Sequence, residues 1–564
     1  MTILPQSLHW ADKLSAGILK WQKKNKVKKL HLDDMKTPSG RVHTGSLRGV
    51  VLHDIVAKVL AKNTTQEIDS TYVFNDMDPM DGLPTYLSKK EYSQYMGQPM
   101  YKIPAPILEK SGINFSGASE KEIEKLKNAK NFGEFYASDF IHAFRKIGCE
   151  QKILWSHELY ESGQMDKQIE TALNKTDEIK KIYKEIADYE LPKKWYPFQV
   201  ICEKCGKIGT TLVTDWDGKE VSYECQPNKV EWAKGCGHKG KISPFKGTGK
   251  LLWKVDWPAH WKTIGVTIEG AGKDHTSAGG SRDMANAQLK RIFNSVVPFD
   301  IPYEWILIRG SKMSSSKGVG LSAREFVSLF PPQVARFLFV NKNFNQVIDF
   351  DPNEMVIPDL YDEYDQAARI FWGEEKGDKR MGRSFELSQI GKIPQKEFLP
   401  RFRDVALWMQ HPEMNLVEEF EKIKGSNLTE TEKKTLKITQ QYAKIWLENY
   451  APEEFQLTAT KNLPDKALTL TNNQIKYLKS AIELANSKKW PDPQELQQEL
   501  FNLSKIKFEN GEVIGAKQAF QSIYLAFIGK THGPRAAWFL LNIDKNILNS
   551  RINEIIKAKN NKVK

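Results

Sequence analysis

The sequence predicts an α/β protein in which a doubly wound, Rossmann-like nucleotide-binding catalytic domain is interrupted by a zinc-containing insertion and followed by an all-α C-terminal domain. Three observations predict it: a strand–helix–strand unit near the start, a cysteine cluster between Cys202 and Cys236, and helical patterns that dominate beyond about Asp349. At 564 residues the chain needs more than one core. The expected divisions are 1–78 for the first half of the nucleotide-binding domain, 79–260 for the helical and zinc-knuckle insertion, 261–348 for the second half, and 349–564 for the helical domain.

Ser7 to Trp21 reads as an amphipathic helix, with Trp10, Leu14, Ile18 and Trp21 at helical spacing, and without the apolar core and cleavage site of a signal peptide. Val27 to Leu32 is strand-like. The loop Pro38-Ser39-Gly40 then leads into a helix whose Leu47, Val50, Val51, Ile55 and Val59 share one face, and Thr71 to Phe74 reads as the next strand. In such a unit the His43 segment lies beyond the carboxyl end of the first strand, where doubly wound folds bind ligands. From Pro79 the pattern breaks into charged helical segments, including Asp166 to Ile186, and the α/β alternation returns from Thr263 to Ile308. Ser322 and Glu325 form a capping box, as do Thr429 and Glu432. Leu360 to Phe371, Asn473 to Ala485 and Ala516 to Phe527 read as helices, and Lys557 to Lys564 as a solvated tail.

Lys and Arg number 83 against 70 Asp and Glu, a formal charge of +13 that suits a polyanionic partner such as RNA, although a lysine-rich solvated surface gives the same number. Five cysteines, an odd count, suit a reducing compartment and a metal site better than a disulfide framework, so the expected location is the cytoplasm. No run approaches the ~18 apolar residues of a membrane span.

Two segments carry nucleotide chemistry. Pro38 to Ser46 reads Pro-Ser-Gly-Arg-Val-His-Thr-Gly-Ser at a strand-to-helix junction, where His43 and Ser46 can face one phosphate and Gly45 lets a ligand approach the backbone. Lys312 to Gly318 reads Lys-Met-Ser-Ser-Ser-Lys-Gly after a β-like run, Tyr303 to Ile308; Lys312 and Lys317 supply charge, and Ser314, Ser315 and Ser316 supply hydroxyls, for a leaving pyrophosphate. Between them, Asp274 in Gly270-Ala-Gly272-Lys273-Asp274-His275 either bonds ribose hydroxyls or caps the following turn. Cys202, Cys205, Cys225 and then Cys236-Gly-His238 have two-knuckle spacing for a structural zinc, the fourth ligand open between Cys236 and His238. Cys149 stands alone as a small hydrophobe.

In this order the two segments resemble the "HIGH" and "KMSKS" signatures of class I aminoacyl-tRNA synthetases. The opening His9-Trp10-Ala11-Asp12, Val255-Asp256-Trp257-Pro258-Ala259-His260-Trp261 with the Gly272 to His275 run, and Phe527 to Arg535 narrow the resemblance to class I lysyl-tRNA synthetases over nearly the whole chain. That resemblance implies activation of lysine by ATP with Mg2+, transfer to the 3′ end of tRNA(Lys), and a helical C-terminal domain that reads the anticodon. It assigns His43, Ser46, Lys312 and Lys317 to the phosphates, and Gly45, Gly272, Asp274, Ser314, Ser315 and Ser316 to ATP. Thr37, Trp257, His275 and Tyr303 fall to the lysine pocket. Ser315 stands where the signature has a lysine, so Lys317 supplies that charge. Met35 and Lys36 stand where relatives often have smaller or apolar residues, and only His142 answers a second, histidine-rich metal site found in some relatives, which implies one zinc. A class I synthetase for another amino acid, a nucleotidylyltransferase acting on a small molecule and a catalytically silent RNA-binding relative are the competing readings. Oligomeric state does not follow from the sequence.

Overall fold

Five short runs, Leu30–Lys36, Ile68–Phe74, Lys152–Trp155, Ile268–Gly272 and Phe299–Tyr303, pair into one sheet in the computed structural model. The structure describes residues 9–311, 313, 320–353, 355–411, 414–452, 455, 457, 459–507 and 511–562. All pairings in this sheet are parallel, and across it the strands run Phe299–Tyr303, Ile268–Gly272, Leu30–Lys36, Ile68–Phe74, Lys152–Trp155. The order therefore reverses beside Leu30–Lys36, and a crevice opens beyond the carboxyl ends of Leu30–Lys36 and Ile268–Gly272, the place where a doubly wound sheet takes its ligand.

Parallel neighbours need crossover helices, and these cover the faces of the sheet. Leu47–Asn63 joins the first two strands and is buried on nearly every side, through Val50, Val51, Ile55, Val56, Val59 and Leu60. Ser281–Arg291 joins the last two. The N-terminal helix spans Trp10–Asn25 and is capped by His9, whose Nδ1 accepts from Ala11 N at 3.2 Å. Both expected capping boxes form, at Ser322/Glu325 and at Thr429/Glu432.

The segment 79–260 is not one continuous insertion. Its residues Phe132–Lys146 form a helix and Lys152–Trp155 pairs with Ile68–Phe74, completing the first half of the sheet. Four residues are too few for a period to show, which hid this strand. The cysteine-bearing part is separate. Its strands Thr211–Trp216, Val221–Cys225 and Lys239–Ile242 form an antiparallel sheet, Phe198–Val200 pairs with Gly249–Leu251, and Ile169, Ile179, Ile182, Phe198 and Val213 share one core with Trp257 and Trp261. The run Tyr303 to Ile308 is also split, into Phe299–Tyr303 and Ile306–Leu307, the latter pairing with Ile348–Asp349.

The chain divides into two compact units, the first holding Met1–Asp351 and Gln366–Pro394 and the second Pro352–Asp365 and Gln395–Lys564. The expected boundary at 349 thus gives 366–394 to the wrong unit, because Lys379–Ser388 packs on Pro332–Asn341 and Arg336 Nε donates to Leu387 O at 3.1 Å. In the second unit the described regular elements are helices, among them Glu430–Asn449, Asn472–Asn486, Ala516–Ile528 and Lys545–Lys562, around Tyr477, Leu478, Leu496, Phe527 and Leu540. No helix of the described residues is long and apolar enough to cross a membrane.

Arg336 also holds the first unit's helices together. Its Nη2 lies 2.6 Å from Asp54 Oδ2 and its Nη1 donates to Ile147 O at 3.2 Å, all out of water. Removing one partner of a buried pair strands the other, so Arg336→Ala should cost about 3–5 kcal/mol. A urea midpoint for the first unit equal to that of the unaltered chain would contradict this.

Candidate active site

The chain leaves its central strand at Lys36, and Thr37 at once donates its hydroxyl to Asp78 Oδ2 at 2.5 Å. Gly40 takes φ 143°, which side chains disfavour. The next residues are sewn to the segment after Gly320: Thr44 N donates to Leu321 O at 2.9 Å, Ala323 N donates to Val42 O at 2.9 Å, and His43 bridges Ser322. A Cβ on Gly45 would come within 2.8 Å of His43 Nδ1 and 3.4 Å of Met313 Cε, so the glycine lets the imidazole and the Met313 side chain close on the same turn. Ser46 follows at the start of Leu47–Asn63, its N–H donating to His43 O at 3.1 Å. Lys312, Ser314, Ser315, Ser316 and Lys317 lie outside the described residues; Met313, Leu321 and Ser322, which are described, meet the His43 turn. Burial, reinforced by the charge of Lys36, lowers the His43 imidazole to about 3, which favours the neutral ring.

Beside this turn lies a cavity of about 360 Å³ lined by Lys36, Thr37, Trp257, Glu269, His275 and Tyr303 among others. Its chemistry is acidic and aromatic. Trp257 Nε1 donates to Glu269 Oε1 at 2.8 Å, Trp261 Nε1 donates to the other oxygen, and the Arg282 guanidinium lies 4.6 Å from the Trp261 ring and 5.7 Å from that of Trp257. Burial pushes the Glu269 carboxyl well above the usual range, against the pull of Arg282. Burial likewise raises Asp34, and takes Asp33 up to about 7. A bound cation would reverse that cost and ionise the acids it meets. The His275 ring stands 5.8 Å from Trp257. Gly49 is required here, because a Cβ would collide with Asp34 Oδ2 and come within 2.8 Å of the Tyr303 hydroxyl.

Asp274 is exposed, with Oδ1 accepting from Trp305 Nε1 at 3.4 Å, and Gly272 leaves room for it. Sequence reasoning missed Asp34, Asp78, Lys250, Asp256 and Glu269. Lys250, 2% exposed, joins Asp78 Oδ1 at 2.5 Å to Asp256 Oδ2 at 3.0 Å, and Tyr160 donates to Asp256 Oδ1. Burial by itself would raise Asp256, but His260 and Lys250 hold it well below the carboxylate range. The available signal was Asp33-Asp34 within a strand: adjacent side chains point to opposite faces, so a buried strand must hide both charges.

The sulfur atoms of Cys202, Cys205, Cys225 and Cys236 all lie within 4.8 Å of one another, with Cys202–Cys236 at 3.7 Å and Cys205–Cys225 at 3.6 Å. Four sulfurs at about 2.3 Å from a tetrahedral zinc are separated by ~3.8 Å, so this donor set fits. The His238 ring is not among these donors. Its carbonyl accepts from Cys225 N at 2.8 Å while its ring meets Tyr223, and Gly237, at φ 77°, turns the chain there. Cys149 is buried, 3.7 Å from Arg336 Nη1.

Residues 8–391 match the family described as tRNA synthetases class I (K). A lysine–tRNA ligase of Methanosarcina barkeri is 31% identical over 98% of each chain. One of Archaeoglobus fulgidus is 31% identical over 97% of this chain and 99% of its own, and one of Methanosphaera stadtmanae is 30% identical over the same shares.

The His43 imidazole, displaced so far from the ordinary value near 6.5, should remain neutral from pH 8 to pH 5. Ring nitrogen shifts, assigned by difference from His43→Gln, test this; a midpoint near 6.5 would contradict the burial of the ring.

Proposed function

The chain belongs to the class I tRNA synthetases (K), and from that premise we propose that it is a lysine–tRNA ligase, joining lysine to AMP and then to the 3′ end of tRNA(Lys). The observation that carries the lysine specificity is Glu269, a buried carboxylate between two indoles on the wall of the cavity beside the His43 turn. A lysine side chain needs an anionic acceptor for its ammonium and apolar walls for its stem. Glu269 and Asp34 supply the acceptors, and Trp257, His275 and Tyr303 the walls, while Thr37, fixed by Asp78, marks the entrance.

ATP enters with Mg2+ as substrate, its adenosine against Gly272 and Asp274 and its phosphates along His43, Gly45 and Ser46, with Lys312, Lys317 and Ser314 to Ser316 on the leaving side. The amide donors at the start of Leu47–Asn63 favour anions there. His43, neutral, gives a hydrogen bond that strengthens as charge builds on the phosphoryl oxygens. The four cysteines hold zinc as a structural ion, since four thiolates leave no open position. The helical second unit reads the anticodon, and the enzyme works in the cytoplasm.

Lysine-dependent exchange of pyrophosphate into ATP, measured with tRNA present, should exceed exchange with any other amino acid; a preference for another would remove the specificity. Glu269→Gln should raise the KM for lysine by at least about tenfold with the KM for ATP unchanged, since an ammonium left facing a neutral amide loses a charged partner. Purified protein should carry one zinc per chain, lowered by Cys202→Ser, and metal-free folded protein would remove the zinc assignment.

A further inference from the structure

Lys36 ends the central strand, in register with Phe74, and its carbonyl accepts from Asn75 N at 3.0 Å. Alternation places it on the same face of the sheet as Asp34. That face is covered by Leu47–Asn63, as the contact between Gly49 and Asp34 shows. Lys36 is two residues nearer the start of that helix, and its charge acts on His43 at one end and on Asp34 at the other. It lines the cavity with Thr37, Glu269 and Tyr303.

The ammonium makes no hydrogen bond or ion pair with a described residue. The more deeply buried cations of this unit do: Lys250 has Asp78 and Asp256, Arg324 has Asp139, and Arg336 has Asp54. Asp34 acts on Lys36 through its charge but forms no ion pair with it; its Oδ1 accepts from Met35 N at 2.8 Å and its Oδ2 lies 3.8 Å from His53 Nδ1. Lys36 is half-buried and faces the cavity, so an anion that enters there can pair with its ammonium. It does not suit the ammonium end of a lysine substrate, which it would repel. The anionic end of the reaction, where carboxylate meets phosphate, is what remains.

We propose that Lys36 is a catalytic residue whose ammonium bears on the α-phosphoryl group and the attacking carboxylate during adenylation. This rests on the reading of the chain as an amino-acid-activating enzyme. One carboxylate oxygen of the amino acid forms a bond to the α-phosphorus, and the bond from that phosphorus to the bridging oxygen breaks. The electron pair leaves on pyrophosphate. Lys36 keeps its protons throughout and offsets the negative charge gathered on the phosphoryl oxygens, a contribution larger in the transition state than in the bound substrates.

The test compares Lys36→Met and Lys36→Arg with the unaltered full chain in pyrophosphate exchange, with zinc content and tRNA affinity as checks on folding. Lys36→Met should lower kcat by about 10- to 100-fold while the KM for lysine changes little, and Lys36→Arg should restore most of the loss. The pH profile separates charge from packing. Burial lowers the Lys36 pKa, against the opposing charge of Asp34. The unaltered enzyme should therefore lose kcat/KM at alkaline pH as Lys36 deprotonates, and the arginine, which does not titrate there, should move that limb upward. The other titratable groups facing the same cavity, Asp78, Asp256, Glu269, His275 and Tyr303, are common to both proteins, as is His43. An unchanged kcat in Lys36→Met, a loss confined to the KM for lysine, or an unmoved alkaline limb in Lys36→Arg would each overturn the proposal. If Lys36→Met fails to fold, the arginine profile alone decides. Exchange with a different amino acid would defeat the lysine specificity and leave the same comparison valid with that amino acid, whereas exchange with none would overturn both.

Discussion

Burying Asp33, Asp34 and Glu269 close together on the central strands of a parallel sheet is the constraint on which the cleft depends. Each carboxyl is desolvated, and Asp33 and Asp34 raise the cost of ionising Glu269. The surroundings answer each acid differently. Thr71 donates to one oxygen of Asp33, and the other has no partner among the described residues, which fits a carboxyl held neutral. Asp34 takes its own strand's Met35 N–H and faces His53, whose Nε2 accepts from Gly270 N at 2.8 Å and whose Nδ1 therefore donates to Gly49 O. Glu269 takes two indole N–H groups with a guanidinium beside them. The result is a site that holds negative charge most readily when a cation enters.

The His43 side of the crevice is built by the opposite logic. Small residues and backbone bonds draw chain segments together, and burial favours the neutral ring of His43 there. Thr44 and Val42 are tied by backbone bonds to Leu321 and Ala323, nearly three hundred residues away in sequence, and Gly45 removes the one Cβ that would separate His43 from its own turn. The cysteine-bearing part meets the same crevice through Lys250, which spans Asp78 at the end of the first half and Asp256 on the helix Trp253–Ile264. Pairing there is close to obligatory, because an unpaired ammonium or carboxylate at that depth would cost several kcal/mol.

Much of this was legible in the residues. The strand–helix–strand opening, both capping boxes, the start of Leu47–Asn63 and the helices of the second unit follow from periodicity and local capping chemistry, which act within a few residues. Spacing placed Cys202, Cys205, Cys225 and one of Cys236 or His238 together, but choosing between the last two required the turn at Gly237, which sends the ring of His238 toward Tyr223. Lys152–Trp155 was hidden because four residues carry no period, and 366–394 because membership of a unit is decided by packing partners such as Arg336 and Leu387.

The sequence by itself determined the kind of chemistry, since His43, the Lys312 segment, the cysteines and the Trp257 run are chemically specific residues at specific spacings. Only the tertiary structure decided which acids line the crevice. The adjacent pair Asp33-Asp34 in a strand is a local sign of buried charge, but Asp78, Asp256 and Glu269 come from a loop, a helix and another strand, and no local signal distinguishes them from solvated carboxylates. Their burial, and so their charge state, is a property of the crevice formed where the strand order of the sheet reverses.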